Sequence, residues 1–110
     1  MPWELRYYLD SRGGNPVEEF IEGLPENDRA LVRARIAFLG EAGNRLREPH
    51  SKSLGGGLFE LRVKSRRFFY CFKPGGVIVL LHAFSKKTQK TPQREMDIAQ
   101  RRMEEVKDEN

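Results

Sequence analysis

Between Lys52 and Arg94 the chain carries ten Lys or Arg residues against a single carboxylate, Glu60, whereas the stretches before and after it have net charges of −2 and −3. A block so one-sided sets up a local positive field, and an anionic partner such as nucleic acid is the expected consequence. Arg62, then Arg66-Arg67 after a short turn, then Lys86, Lys87 and Lys90 within Ser85-Lys86-Lys87-Thr88-Gln89-Lys90-Thr91 are its densest parts. A guanidinium presents a planar fork to two phosphate oxygens, so Arg62 and Arg67 are suited to stabilising extra negative charge on phosphorus. Crowding among cations favours the uncharged amine of one member, which makes Lys86 or Lys87 the expected proton-transfer group. Lys52, Lys64, Arg66, Lys90 and the aromatic Phe84 are the expected contacts to phosphates and bases around them. Glu60 is a base or a strut for an arginine, and the strut is preferred.

Other chemistries find little support. His50 and His82 are the only histidines and Cys71 the only cysteine, so neither a zinc-like spacing nor an internal disulfide arises, and no metal or other cofactor is expected. His82 lies in an apolar run and reads as a core or strand-surface residue; Cys71, among aromatics, reads as buried and inert. Gly55-Gly56-Gly57 precedes a strand instead of opening a helix, so it is not a phosphate-binding P-loop.

These groups need a scaffold. Trp3 to Leu9 reads as a strand, broken at Ser11-Arg12-Gly13-Gly14. Asn15 offers an N-cap, Pro16 suits the first helical position, Glu18 stands where a capping box places its carboxylate, and Val17, Phe20, Ile21 and Leu24 share one face. After Gly23-Leu24-Pro25, the spacing of Leu31, Val32, Ile36 and Leu39 predicts a second helix over Asp28 to Ala42, ended by Gly43-Asn44. From Arg45 to Gly57 no period is visible, and Ser51 to Gly57 is expected to be a mobile surface loop. Phe59, Leu61 and Val63 then alternate with Glu60, Arg62 and Lys64, a half-buried strand. Lys64-Ser65-Arg66 is the expected turn into a strand over Arg67 to Phe72, and Lys73-Pro74-Gly75-Gly76 the next turn. Val77 to Phe84 is apolar throughout, as in a strand covered on both faces and placed inside a sheet. Phe20, Ile21, Leu31, Ile36 and Leu39 should cover one of those faces. Met96, Ala99, Met103 and Val106 form a narrow seam on a last helix after Thr91-Pro92. The expected class is α+β: a small, mainly antiparallel sheet packed on a helical hairpin as a two-layer sandwich, with a C-terminal helix.

At 110 residues and 38% apolar, the chain has material for one core, so residues 1–110 are expected to form a single domain. Aromatics at 10% and clear periodicity argue against disorder despite 33% charged residues. No apolar run reaches the roughly 18 residues of a membrane span, and Met1-Pro2-Trp3-Glu4 has no signal-peptide character, so a cytoplasmic protein without membrane contact is expected.

The pieces Leu58-Phe59-Glu60-Leu61-Arg62, Arg67-Phe68-Phe69-Tyr70 and Val79 to Pro92, above all Phe84-Ser85-Lys86-Lys87-Thr88-Gln89-Lys90-Thr91-Pro92, resemble the phage-derived HigB-like branch of the RelE/ParE toxin superfamily. The likeness extends from about Trp3 to Val106. It implies a RelE-like fold and the toxin of a type II toxin–antitoxin system, with an antitoxin encoded by the neighbouring gene. The commonest activity it implies is ribosome-dependent endoribonuclease cleavage of mRNA, which inhibits translation. Site arginines on the second and third strands of that family map by position onto Arg62 and Arg67, and further basic residues onto Lys86, Lys87 and Lys90. Relatives often carry a Tyr or His near the C-terminus as acid or base; this chain has neither there. Two other readings follow from the same surface: a non-catalytic poison of a protein target such as gyrase, as in the ParE branch, and an RNA-binding module without catalysis.

Overall fold

The computed structural model describes residues 2–109. Strand β1 (Glu4–Tyr7) leads to α1 (Pro16–Glu22) and α2 (Glu26–Ala42), followed by β2 (Ser51–Gly55), β3 (Leu58–Val63), β4 (Arg66–Lys73), β5 (Val77–Ser85) and α3 (Gln93–Lys107). The sheet order is β1-β5-β4-β3-β2, with β1 parallel to β5 and the remaining neighbours antiparallel. The strand with the continuous apolar run is therefore interior, as its composition requires.

Local signals set the helices. The Asn15 side chain accepts from the Glu18 amide at 3.0 Å and caps α1. The Glu18 carboxylate does not close the capping box; it pairs with Arg33 of α2 at 2.7 Å and ties the hairpin together. Gly43 ends α2 at φ +55, with the Trp3 indole where a Cβ would stand, so only glycine serves there.

Val17, Ile21, Val32, Ile36 and Leu39 of the hairpin meet Leu61, Val63, Phe68, Tyr70, Ile78 and Leu80 in one core, with Phe20 and Leu31 packed at its rim. This is the sandwich of sheet and helical hairpin that the periodicity predicts. The opposite face carries a second cluster, in which Ala99, Met103 and Val106 of α3 cover Leu58, Phe69, Cys71, Val79 and Leu81. Each large apolar side chain so buried contributes about 1.5–3 kcal/mol, so β3, β4 and β5 are a stiff support.

The segment expected as a mobile loop is corrected: Ser51 to Gly55 is the edge strand β2, paired antiparallel with β3. Its stability comes from that ladder and from a hydrogen bond between the buried Ser51 hydroxyl and Tyr70, not from an apolar pattern of its own. Boundaries also move: the first strand is shorter than Trp3 to Leu9, and α2 starts at Glu26. Among the described residues, no helix is long and apolar enough to cross a membrane.

Candidate nucleic-acid interface

The β3–β4 hairpin brings the arginines together. Arg62 stands opposite Arg67 and Glu60 opposite Phe69, while on the neighbouring strands Phe84 and His82 oppose Arg67 and Phe69, and Lys52 opposes Glu60. Register partners share a face, so Lys52, Glu60, Arg62 and Arg67 all lie on the α3 side of the sheet. Glu60 is 1% exposed. Its Oε2 accepts from Arg62 Nε at 2.9 Å and stands 3.9 Å from Arg67 Nε. Arg67 is also held from the turn, Nη1 donating to the carbonyls of Lys64 at 2.6 Å and Arg66 at 3.1 Å. Arg62 Nη1 lies 3.7 Å from Glu48.

The end of β5 delivers the lysines to the same place. Ser85 pairs with Arg66, and the Lys86 amide donates to the Ser65 carbonyl at 2.6 Å, so the basic loop starts bolted to the β3–β4 turn. Ser65, Arg67, Lys86, Lys87, Thr88 and Gln89 enclose an open cavity of about 480 Å³. Lys87 and Thr88 also border a second hollow, shared with Phe84, Arg94 and Glu95 at the start of α3. Three cationic side chains around a cavity of that size suit a phosphate and its neighbouring sugar.

Of the other expected contacts, Arg66 and Lys64 sit elsewhere. Arg66 faces the helical hairpin, where it pairs with Asp28 of α2 at 3.0 Å, and Lys64 approaches the same carboxylate at 3.6 Å. Strand alternation sends Arg66 and Arg67 to opposite faces, so Arg66 is turned away from the cavity that Arg67 lines. Phe84 is 7% exposed and packs on Phe69 at 5.3 Å between ring centres, so most of its ring supports the basic face from below while it borders the hollow beside Lys87. Lys52 lies exposed on β2, and Lys90 exposed in the loop. Cys71 is fully buried, and burial pushes its thiol above the ordinary range, in keeping with an inert residue.

One polar network has no counterpart in the sequence reading. A register shift on β4–β5 leaves Leu81 unpaired and turns His82 onto the α3 side, against Phe69 and Phe84. There His82 Nε2 is 2.6 Å from Glu95 Oε1, and Arg102 Nη1 is 3.3 Å from Nδ1 while also donating to the Leu81 carbonyl at 2.9 Å. An arginine can only donate, so Nδ1 must accept and the proton resides on Nε2, giving a neutral imidazole that donates to Glu95. Burial outweighs the pull of Glu95 and holds the His82 pKa below its ordinary value. The unfolded chain therefore takes up this proton more readily, and the network's stabilisation is full above the unfolded pKa and declines as pH falls. Urea midpoints measured between about pH 7.5 and pH 5.5 should fall less steeply in His82→Gln than in the unaltered protein. Equal slopes would assign the acid sensitivity to other groups.

A five-stranded sheet with one parallel edge strand, a helical hairpin on one face and a C-terminal helix on the other is the fold of the solved RelE toxins. The solved E. coli toxin RelE, a double-arginine mutant in the free state, superposes with a TM-score of 0.63 at 16% identity over 94% of this chain and 99% of that one. The toxin–antitoxin complex RelBE2 of Mycobacterium tuberculosis gives 0.55 at 21% identity, over 78% of this chain and 100% of that one. A search of curated protein sequences gives no significant match. Within this fold class, the chain belongs to the family described as phage derived protein Gp49-like (DUF891), which matches residues 19–104 and so includes every residue of the basic cluster.

Proposed function

We propose that this protein is the toxin of a type II toxin–antitoxin pair and that it cleaves mRNA on the ribosome without a metal ion. The observation that carries the reading is the antiparallel pairing of Arg62 with Arg67 beside the loop of Lys86 and Lys87, on a rigid sheet end. Membership of the Gp49-like family and the RelE fold support it, and the RelBE2 neighbour, a toxin–antitoxin complex, supports an antitoxin as partner.

Such a cluster suits cleavage that uses the RNA's own 2′-hydroxyl. The 2′-oxygen attacks the adjacent phosphorus as its proton leaves to a base, the bond from phosphorus to the 5′-oxygen breaks, and that oxygen takes up a proton. A 2′,3′-cyclic phosphate and a 5′-hydroxyl result. Arg62 and Arg67 stabilise the charge added at phosphorus, and Lys86 or Lys87 moves a proton. Lys52, Lys90 and the positive field of the surface guide the strand.

Two measurements test this. Induction of the chain should arrest growth, with rescue by the neighbouring open reading frame. RNA from arrested cells should carry cyclic or 3′-phosphate ends at new positions. Arrest with intact mRNA would point instead to a poisoned protein target, and RNA binding without arrest to a module that cuts nothing.

A further inference from the structure

The one carboxylate of the basic block is the least expected group on its face. A buried glutamate carries a desolvation cost, and a negative charge beneath a phosphate-binding surface opposes the binding of RNA. Affinity therefore does not account for Glu60. Its geometry does: Oε2 lies 2.9 Å from Arg62 Nε and 3.9 Å from Arg67 Nε, so one oxygen addresses both guanidiniums from the sheet side. The Nε edges are turned inward toward it; Nη1 of Arg67 is held by the turn carbonyls and Nη1 of Arg62 lies near Glu48, so the Nη2 ends are the ones an incoming anion would meet. Among the described residues, Glu60 Oε1 and Arg67 Nε have no hydrogen-bond partner, although both atoms are buried. Two directly opposed arginines would otherwise repel each other and splay toward water.

Resting on the ribonuclease reading above, we propose that Glu60 is the positioning residue of the site, a buried anion that holds Arg62 and Arg67 side by side so that one phosphate meets both. Glu60 touches no substrate; it acts through the arginines. An active site supported in this way loses rate when the support is removed, while its affinity for the RNA backbone is kept or increased, because a negative charge has gone. A residue that served only the fold would lose stability, binding and rate together.

The test uses the full chain with Glu60→Leu, which removes both charge and acceptor at similar volume, and Glu60→Gln, which keeps one acceptor oxygen. Glu60→Leu leaves two partly buried arginines without their counter-ion and should melt lower, yet the folded protein should bind RNA at low salt at least as tightly and cleave on saturated ribosomes at least about tenfold more slowly. Glu60→Gln should fall between the two, and it carries the same rate-against-binding comparison if the leucine variant does not fold. The ¹⁵Nε–H signal of Arg62, which donates to Glu60 at 2.9 Å, should be protected from exchange in the unaltered protein and lose that protection in Glu60→Leu. Unchanged turnover at saturation would overturn the proposal, as would a loss of turnover that follows lost binding. If the unaltered protein cleaves no RNA, the ribonuclease reading fails, and the Arg62 Nε–H protection then decides by itself whether Glu60 positions the pair.

Discussion

Arg67→Ala is expected to slow the cleavage step on saturated ribosomes by roughly 10² to 10³, the scale on which one preorganised transition-state donor acts. The geometry makes Arg67 the sharpest case. Two turn carbonyls fix its Nη1, and its Nε faces the buried Glu60, so the guanidinium is placed before substrate arrives. Little ordering remains to be done at the moment of reaction, which is where preorganised charge gains over solvent. Arg62→Ala should lose a similar factor. On the proposal that both arginines address one phosphate, and given the carboxylate they share, the double variant should lose much less than the product of the single losses. Simple backbone attraction predicts something different: each substitution weakens binding, lowers the salt slope by about one unit per lost contact, and leaves turnover at saturation intact. Lys87→Arg separates charge from proton transfer in the same assay, since it keeps the cation but cannot give up its proton in a protein. Wild-type turnover in the neutral variants at Arg62, Arg67, Lys86 and Lys87 would mean that the site lies elsewhere.

The parts of this arrangement that were legible in the sequence are those set by local pattern. The apolar run Val77 to Phe84 has to be interior, because an exposed edge of that composition would aggregate, and it is interior. The alternation from Phe59 to Val63 places Leu61 and Val63 under the helical hairpin, and Arg62 on the other side. What was not legible depends on pairing between distant segments. β2 has no apolar period, and its strand state is imposed by β3. His82 would face the hairpin if alternation continued from Leu80; one extra residue, Leu81, turns it toward α3, and neither residue announces the bulge. Arg66 and Arg67 look equivalent as a basic pair, and which face each serves is told by the register that sets Arg67 opposite Arg62 and by the pairing of Arg66 with Asp28. The Glu60 carboxylate was visible as an exception to the charge block, but that it addresses two arginines follows from register alone.

Replacing the 2′-hydroxyl by hydrogen at the scissile nucleotide should abolish cleavage altogether, the largest effect expected for this protein. The reason lies in what the chain offers as nucleophile and activator. Among the described residues no three His, Cys, Asp or Glu side chains gather in a way that would hold a metal ion to generate hydroxide, and the one thiol is buried in the second core. The basic cavity supplies positive charge and donors, which suits an attack delivered by the substrate itself. A 2′-deoxy substitution removes that attacking oxygen while leaving every phosphate contact in place, so binding should persist with the same salt dependence as turnover disappears. On isolated RNA, if the protein cuts it without ribosomes, EDTA should have no direct effect, and the fragments should still end in 2′,3′-cyclic phosphate. Cleavage retained at a deoxy position would require a different nucleophile, and with it a different assignment for the arginines. Binding lost together with cleavage would instead show that the 2′-hydroxyl is a recognition contact, which the basic loop and Thr88 would then have to explain.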